Sequence, residues 1–296
     1  MTGKRVSLVL GSGGARGLAH IGVIRYLEEQ GYQIDSISGS SMGALIGGIY
    51  ATGKLDVYAK WVSALEKVDI LRLLDITFSN GGFLRGDKVI RALRDLIGDH
   101  QIEDLPISYT AVAADLKRQR EVWLKSGSLF DAIRASIAIP TLFTPVKHEG
   151  RLLVDGGLVN PVPIAPTIRD NTDIAIAVNA SAAEEKELKH SKRNEPEESS
   201  SYRQQIVDFL DDLNLLPKIE SKEEKAMDAM DILTRSIEVM QSMITRFQLA
   251  ANTPDIVIHI PQNIATFYEF HHAQELIAFG YERTRETFAN RQPAES

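Results

Sequence analysis

Gly39-Ser40-Ser41-Met42-Gly43 spells G-x-S-x-G, and the residues around it decide the fold. Upstream, Ile34–Ile37 reads as the end of a buried strand; downstream, Ala44 to Ala51 reads as a tightly packed, largely apolar helix. A serine on such a strand-to-helix turn is held in a strained conformation, its hydroxyl at the sheet edge beside the helix N-terminus. Glycines two residues before and after it avoid a Cβ clash with the neighbouring strand or helix. The pattern is a nucleophile elbow, with Ser41 as the candidate nucleophile and Gly39 and Gly43 as its supports. Ser12, Ser40 and Ser136 rank below it. Ser12 stands where any small residue fits, Ser40 points elsewhere on the elbow, and Ser136 has no flanking glycines.

Five residues with three fixed arise by chance, so the rest of the chain must bear on the reading. Directly after the strand-like Val6–Leu10 comes Gly11-Ser12-Gly13-Gly14-Ala15-Arg16-Gly17, opening a helix that runs to Gln30 with Gly31 as its stop. Glycines there let backbone N–H groups converge at a helix N-terminus, where the dipole favours an anion. One candidate anion is a dinucleotide pyrophosphate, which would make the chain a nucleotide-dependent oxidoreductase. The G-x-G-x-x-G fingerprint then wants glycine at position 16, which is Arg16, and Asp35 precedes the Ser41 turn instead of ending a strand over the cofactor. The other is the oxyanion of a tetrahedral intermediate, which the elbow favours. A Walker A loop is excluded, because no G-K-[ST] follows.

A third stretch is Leu152-Leu153-Val154-Asp155-Gly156-Gly157, followed by Asn160-Pro161. By itself Asp-Gly most often makes a plain turn. Here an apolar strand delivers a carboxylate before two glycines that permit a sharp turn and the close approach of another loop. With a nucleophile and an anion site in place, a general base is the missing part.

Taken together, G-G-x-R-G near the N-terminus, G-x-S-x-G about 25 residues on and a later D-G-G resemble the patatin-like phospholipase family. More narrowly, the chain is similar to small stand-alone bacterial members related to the neuropathy target esterase catalytic domain. Further similarity lies in Ala135–Pro140, Thr144-Pro145-Val146, Asn160–Pro163 and a helix from Phe270 with its Gly280-Tyr281 end. The resemblance implies a three-layer αβα fold with a largely parallel sheet. It implies a serine hydrolase of lipid carboxylic esters, of phospholipase A or lysophospholipase type, working through a Ser41–Asp155 dyad without a catalytic histidine. The oxyanion hole would be the Gly13-Gly14-Ala15-Arg16-Gly17 loop, supported by Arg16, with Gly156 and Gly157 supporting the base. No cofactor or metal is expected. No motif residue departs from the pattern, which speaks against the remaining reading of a non-catalytic lipid-binding regulatory module.

A conventional triad would need a histidine. Of His20, His100, His148, His190, His259, His271 and His272, only the last four follow Asp155, as the order Ser…Asp…His requires. None has a sharp-turn setting, so each reads as structural or superficial.

The 296-residue chain is long enough for one extended α/β domain. Residues 1–183 read as the catalytic core, 184–225 as a charged, serine-rich linker with the composition of a mobile lid, and 226–296 as completing the same domain. Zero cysteines exclude disulfides and thiolate metal sites, and a net charge of −7 without a basic tract argues against nucleic acid. With neither a signal-peptide core nor a membrane span, the expected location is cytoplasmic, peripheral to the inner membrane. Candidate membrane contacts are the helix-patterned Tyr202–Leu216 and the basic turn Lys117–Arg120.

Beyond the linker, Met230, Leu233, Ile237, Met240, Ile244 and Phe247 recur at three- and four-residue steps. Such a stripe ordinarily packs a helix against the sheet. Its other reading is an adaptable surface at the mouth of a lipid site, or a homodimer contact.

Overall fold

In β1 (Arg5–Leu10) the apolar side chains Val6, Leu8 and Leu10 join one large core and Val9 joins a second, so the strand is covered on both faces. Near-continuous apolar strands of this kind belong in the middle of a parallel sheet. The computed structural model describes residues 3–73, 86–140, 142–185 and 229–291. Within them eight strands form one sheet. β1 pairs in parallel with β2 (Gln33–Ser40) on one side and β7 (Ile174–Ala182) on the other; β7 continues to β8 (Ile256–Pro261), also in parallel.

The antiparallel part lies beyond β2. There β3 (Ser108–Asp115) pairs in parallel with β2, while β4 (Arg120–Leu124), β6 (Arg151–Asp155) and β5 (Val146–His148) close the edge antiparallel. The registers fix a detail that matters for the site. β2 pairs with β3 up to Ser40↔Val112, and β6 pairs with it from Ala113↔Asp155, while β4 runs along the opposite edge over 111–115. So β2 and β6 share one edge of β3 and meet head to head, bringing Ser40 and Asp155 to neighbouring positions.

Helices cover both faces. The thicker layer holds α1 (Ala19–Glu29), α2 (Met42–Ala51) and α6 (Leu129–Ser136), with α8 (Ala273–Ala289) laid along α1. Every residue of α2 except Tyr50 is buried, as expected of a helix that is apolar all round. Gly31 (φ 76°) ends the first helical segment as expected, and the Ser128 side chain caps α6 by accepting from the Asp131 N–H. Gly280, expected to end a helix, lies inside α8 instead. A Cβ there would meet the Ala19 carbonyl oxygen at 2.0 Å, so this glycine marks the crossing with α1 and the helix runs on to Ala289.

Three further helices, α3 (Leu55–Ser63), α4 (Lys67–Leu73) and α5 (Asp87–Ile97), extend this layer past the sheet. On the other face α7 (Ala229–Ala251) seats Leu249 on Val9, Val162, Ile164 and Ala177. The Tyr202–Leu216 segment and His190 lie outside the described residues. No helix among the described residues is long and apolar enough to cross a membrane.

Candidate active site

Ser41 sits between β2 and α2 with φ 55° and ψ −122°, a left-handed conformation that L-residues rarely adopt. A Cβ on Gly39 would lie 2.4 Å from the Gly43 backbone, and one on Gly43 would lie 2.0 Å from the Leu10 carbonyl oxygen. Both glycines are therefore required by the closeness of β1, β2 and α2. The turn aims the Ser41 hydroxyl across the meeting point of β2 and β6, where Oγ donates to Asp155 Oδ2 at 2.5 Å.

Asp155 is held by its other oxygen as well: the Gly157 N–H donates to Oδ1 at 2.7 Å. A Cβ on Gly156 would meet the Val112 carbonyl oxygen at 2.1 Å, so only glycine lets the turn after Asp155 press onto β3. Burial pushes the Asp155 carboxyl up to about 7, although the bonds from Ser41 and Gly157 pull it down. A carboxyl in that range exchanges a proton near neutrality, which suits general acid–base work.

The glycine loop arrives from β1. Gly11 and Ser12 donate their N–H groups to the Val178 and Pro161 carbonyl oxygens, and Ala15 donates to Phe267 O. Ala15 is thus committed elsewhere, and Arg16 and Gly17 lie in the body of a short 3-10 helix. Of the stretch 13–17, Gly13 and Gly14 are the residues whose N–H groups make no backbone bond among the described residues. Their peptides are pinned from behind. Ser181 Oγ donates to the Ser12 carbonyl at 3.2 Å and Arg16 Nε donates to the Gly13 carbonyl at 3.1 Å. In a trans peptide C=O and N–H point in opposite directions, so each bond fixes the aim of the following glycine N–H. Arg16 also reaches Gln262 O and Glu238 on α7, making its buried guanidinium a clamp between three segments.

Two cavities meet at Ser41. One, about 110 Å³, is almost wholly apolar and is walled by Met42, Tyr58, Trp61, Val62, Ile137 and Phe143, among others. The other, about 40 Å³, runs beneath α7 past Ser12, Gly13, Asp155, Glu238 and Gln241. Phe267 and Tyr268 border both.

Ser136 is the residue that sequence reasoning undervalued. Its hydroxyl accepts the Ser41 N–H and donates to Val112 O. Absence of flanking glycines says nothing about such a role, and no signal in one sequence would have revealed it. The described histidines stay away from both cavities. His20 is fully buried and bonded through Nε2 to Gly11 O; burial lowers it to about 4, so it is a neutral structural donor. His271 and His272 pack against each other at a tilt of 43°, and His259 lies on β8. In the basic turn, Arg118 folds back onto Asp115.

The mostly parallel sheet and the strand-to-helix turn at Ser41 place the chain among α/β proteins. More narrowly, it belongs to the patatin-like phospholipase family of lipid ester hydrolases, whose model matches residues 8–168. An uncharacterised NTE family protein of Mycobacterium tuberculosis is 39% identical over 320 residues, covering 93% of this chain and 89% of the relative. A protein named lysophospholipase NTE1 from Kluyveromyces lactis is 33% identical over 194 residues, 63% of this chain and 13% of that one. The mouse patatin-like phospholipase domain-containing protein 6 is 35% identical over 189 residues, 61% of this chain and 14% of the relative.

Proposed function

We propose that the protein hydrolyses the carboxylic ester of a single-chain lipid, as a lysophospholipase, through Ser41 and Asp155. The observation that carries the reading is the Ser41–Asp155 hydrogen bond at the junction of an apolar cavity and a mixed one. The apolar cavity takes the acyl chain and the cavity under α7 takes the glycerol side. Among the described residues one apolar cavity opens on Ser41, which suits one chain, in keeping with relatives that bear the name lysophospholipase.

Ser41 Oγ attacks the ester carbonyl carbon while its proton passes to Asp155 Oδ2. The resulting oxyanion lies against the Gly13 and Gly14 N–H groups, aided by the positive end of α2. Collapse breaks the bond to the alcohol oxygen, which takes the proton from Asp155 and leaves. Asp155 then removes a proton from water; the hydroxide attacks the acyl-enzyme, and the serine oxygen leaves and is reprotonated as the fatty acid departs. No histidine takes part.

A cofactor-dependent oxidoreductase has little support. Gly14 packs on the Phe267 ring and Arg16 turns inward to Glu238, which leaves no open cradle for a pyrophosphate. The deciding experiment is fluorophosphonate labelling with peptide mapping, combined with fatty-acid release from lysophospholipid and diacyl phospholipid. The probe should land on Ser41 and vanish in Ser41→Ala, and the lyso substrate should turn over faster. Labelling of Ser12, Ser40 or Ser136 would refute the nucleophile, and preference for diacyl lipid would refute the single-chain reading.

A further inference from the structure

α7 is built inside out. Its protein-facing side carries Thr234, Glu238, Gln241 and Thr245, the first three lining the cavity at Ser41 and the last fully covered. Its outer side carries Ile232, Leu233, Val239, Met240, Met243 and Phe247, all exposed, with Val239 at 64% and Phe247 at 69%. At 100° per residue these six side chains fall within a sector of about 120° that holds no charged residue. The expectation that the stripe packs on the sheet is therefore corrected. Leu233, Met240 and Phe247 face outward, and Ile237 and Ile244 turn partly inward; the Met230 side chain lies outside the described residues. Arg235 and Arg246 lie exposed on one border of the sector, and neither makes an ion pair with another described residue.

We propose that this outer face of α7 is the surface on which the protein sits on a lipid aggregate bearing anionic headgroups, an inference that rests on the lipid-ester reading of the site. Three observations favour a lipid surface over a protein partner. The helix that carries the apolar face is also a wall of the Ser41 cavity, so an aggregate held there lies one helix diameter, roughly 10 Å, from it. Tyr268, half exposed, borders that same cavity. The two arginines flank the apolar sector in a chain of net charge −7, where headgroup phosphates would lie. Finally, the face is one stripe on one helix, roughly 22 Å long from Ile232 to Phe247, and inserting a few side chains into a headgroup boundary asks for no more.

The test uses the full chain with Ser41→Ala, so that binding is read without turnover. Vesicles of phosphatidylethanolamine containing phosphatidylglycerol should carry this protein down on sedimentation. Adding Val239→Asp and Phe247→Asp should weaken binding at least about tenfold. Arg235→Glu with Arg246→Glu should weaken it only when phosphatidylglycerol is present, and less so at high salt. In the Ser41 background the same substitutions should leave turnover of a short soluble ester unchanged, since none of these residues lines a cavity. As a second readout, the indole introduced by Phe247→Trp should shift its emission to the blue when vesicles are added. Unaltered vesicle binding in the aspartate variant overturns the proposal. So does a wild-type dimer that the aspartate variant dissociates, or an indole emission in Phe247→Trp that is already blue without vesicles. Vesicle binding that responds as expected, while the protein with Ser41 intact releases no fatty acid from lysophospholipid, would support the surface and refute the lipid hydrolase reading.

Discussion

Ser136 Oγ lies 3.0 Å from the backbone nitrogen of Ser41 and 2.6 Å from the carbonyl oxygen of Val112. The last residue of α6 thus ties the Ser41 peptide to β3, and does so where the backbone is strained. Ser136→Ala leaves a buried N–H unpaired, which costs about 1–3 kcal/mol. We expect kcat to fall by about tenfold with KM nearly unchanged, because the elbow drifts while the cavities stay intact. Chemical denaturation and steady-state kinetics on a short ester check both; an unchanged kcat would show that the bond serves stability alone.

Asp155→Asn removes a buried charge and keeps the shape. An Asp raised from its ordinary value to about 7 holds more protons folded than unfolded between pH 4 and 7. Its contribution to stability is full below about pH 4 and is lost as pH rises through about 7. Asparagine does not titrate, so the variant should melt about 5 °C or more above the wild type at pH 8 and match it at pH 4. Its activity should be lower by orders of magnitude. In the wild type kcat/KM should rise with pH and level off above about 7, as expected when the carboxylate is the base. A wild-type melting curve that stays level across that window would contradict a raised carboxyl.

Arg16→Lys tests whether the glycine N–H groups are aimed from behind. Lysine keeps a charge for Glu238 but cannot also hold the Gly13 and Gln262 carbonyls, which the guanidinium fork reaches together. The expected loss is about 10–100-fold in kcat, with fluorophosphonate labelling slowed in parallel. Full activity in the lysine variant would mean that charge, not direction, is what Arg16 contributes.

Val62→Trp narrows the apolar cavity between α3 and the stretch after α6 that carries Ile137, Ile139 and Phe143. Turnover of long-chain lyso substrates should drop at least about tenfold while acetate and butyrate esters are spared. Equal losses across chain lengths would place the acyl chain elsewhere.

Much of this arrangement was legible in the sequence because each motif is a backbone demand. Gly39 and Gly43 mark a place where three elements crowd, and Gly156 a turn pressed onto β3; contacts of 2.0–2.4 Å with an added Cβ express that demand in a form one sequence displays. Val6–Leu10 likewise reads as a strand from its apolar run, and the structure buries it on both faces. What could not be read depends on partners far apart in the chain. Ser136 gains its importance from Ser41 and Val112, and β5, three residues long, exists only as the partner of β6. The direction in which the α7 stripe faces was equally hidden. Periodicity reports that a face is apolar, and says nothing of whether protein or surroundings meet it.

The head-to-head meeting of β2 and β6 has a consequence for folding. Ser41 and Asp155 are separated by 114 positions and touch only when β6 has reversed along the edge that β2 leaves free. Closing so long a loop is entropically late work, after local helices and the β1–β2 pair can already exist. With the proposed dyad, catalytic competence would thus report completed sheet assembly. During refolding, ester turnover should return with the slowest phase, while helical signal recovers ahead of it.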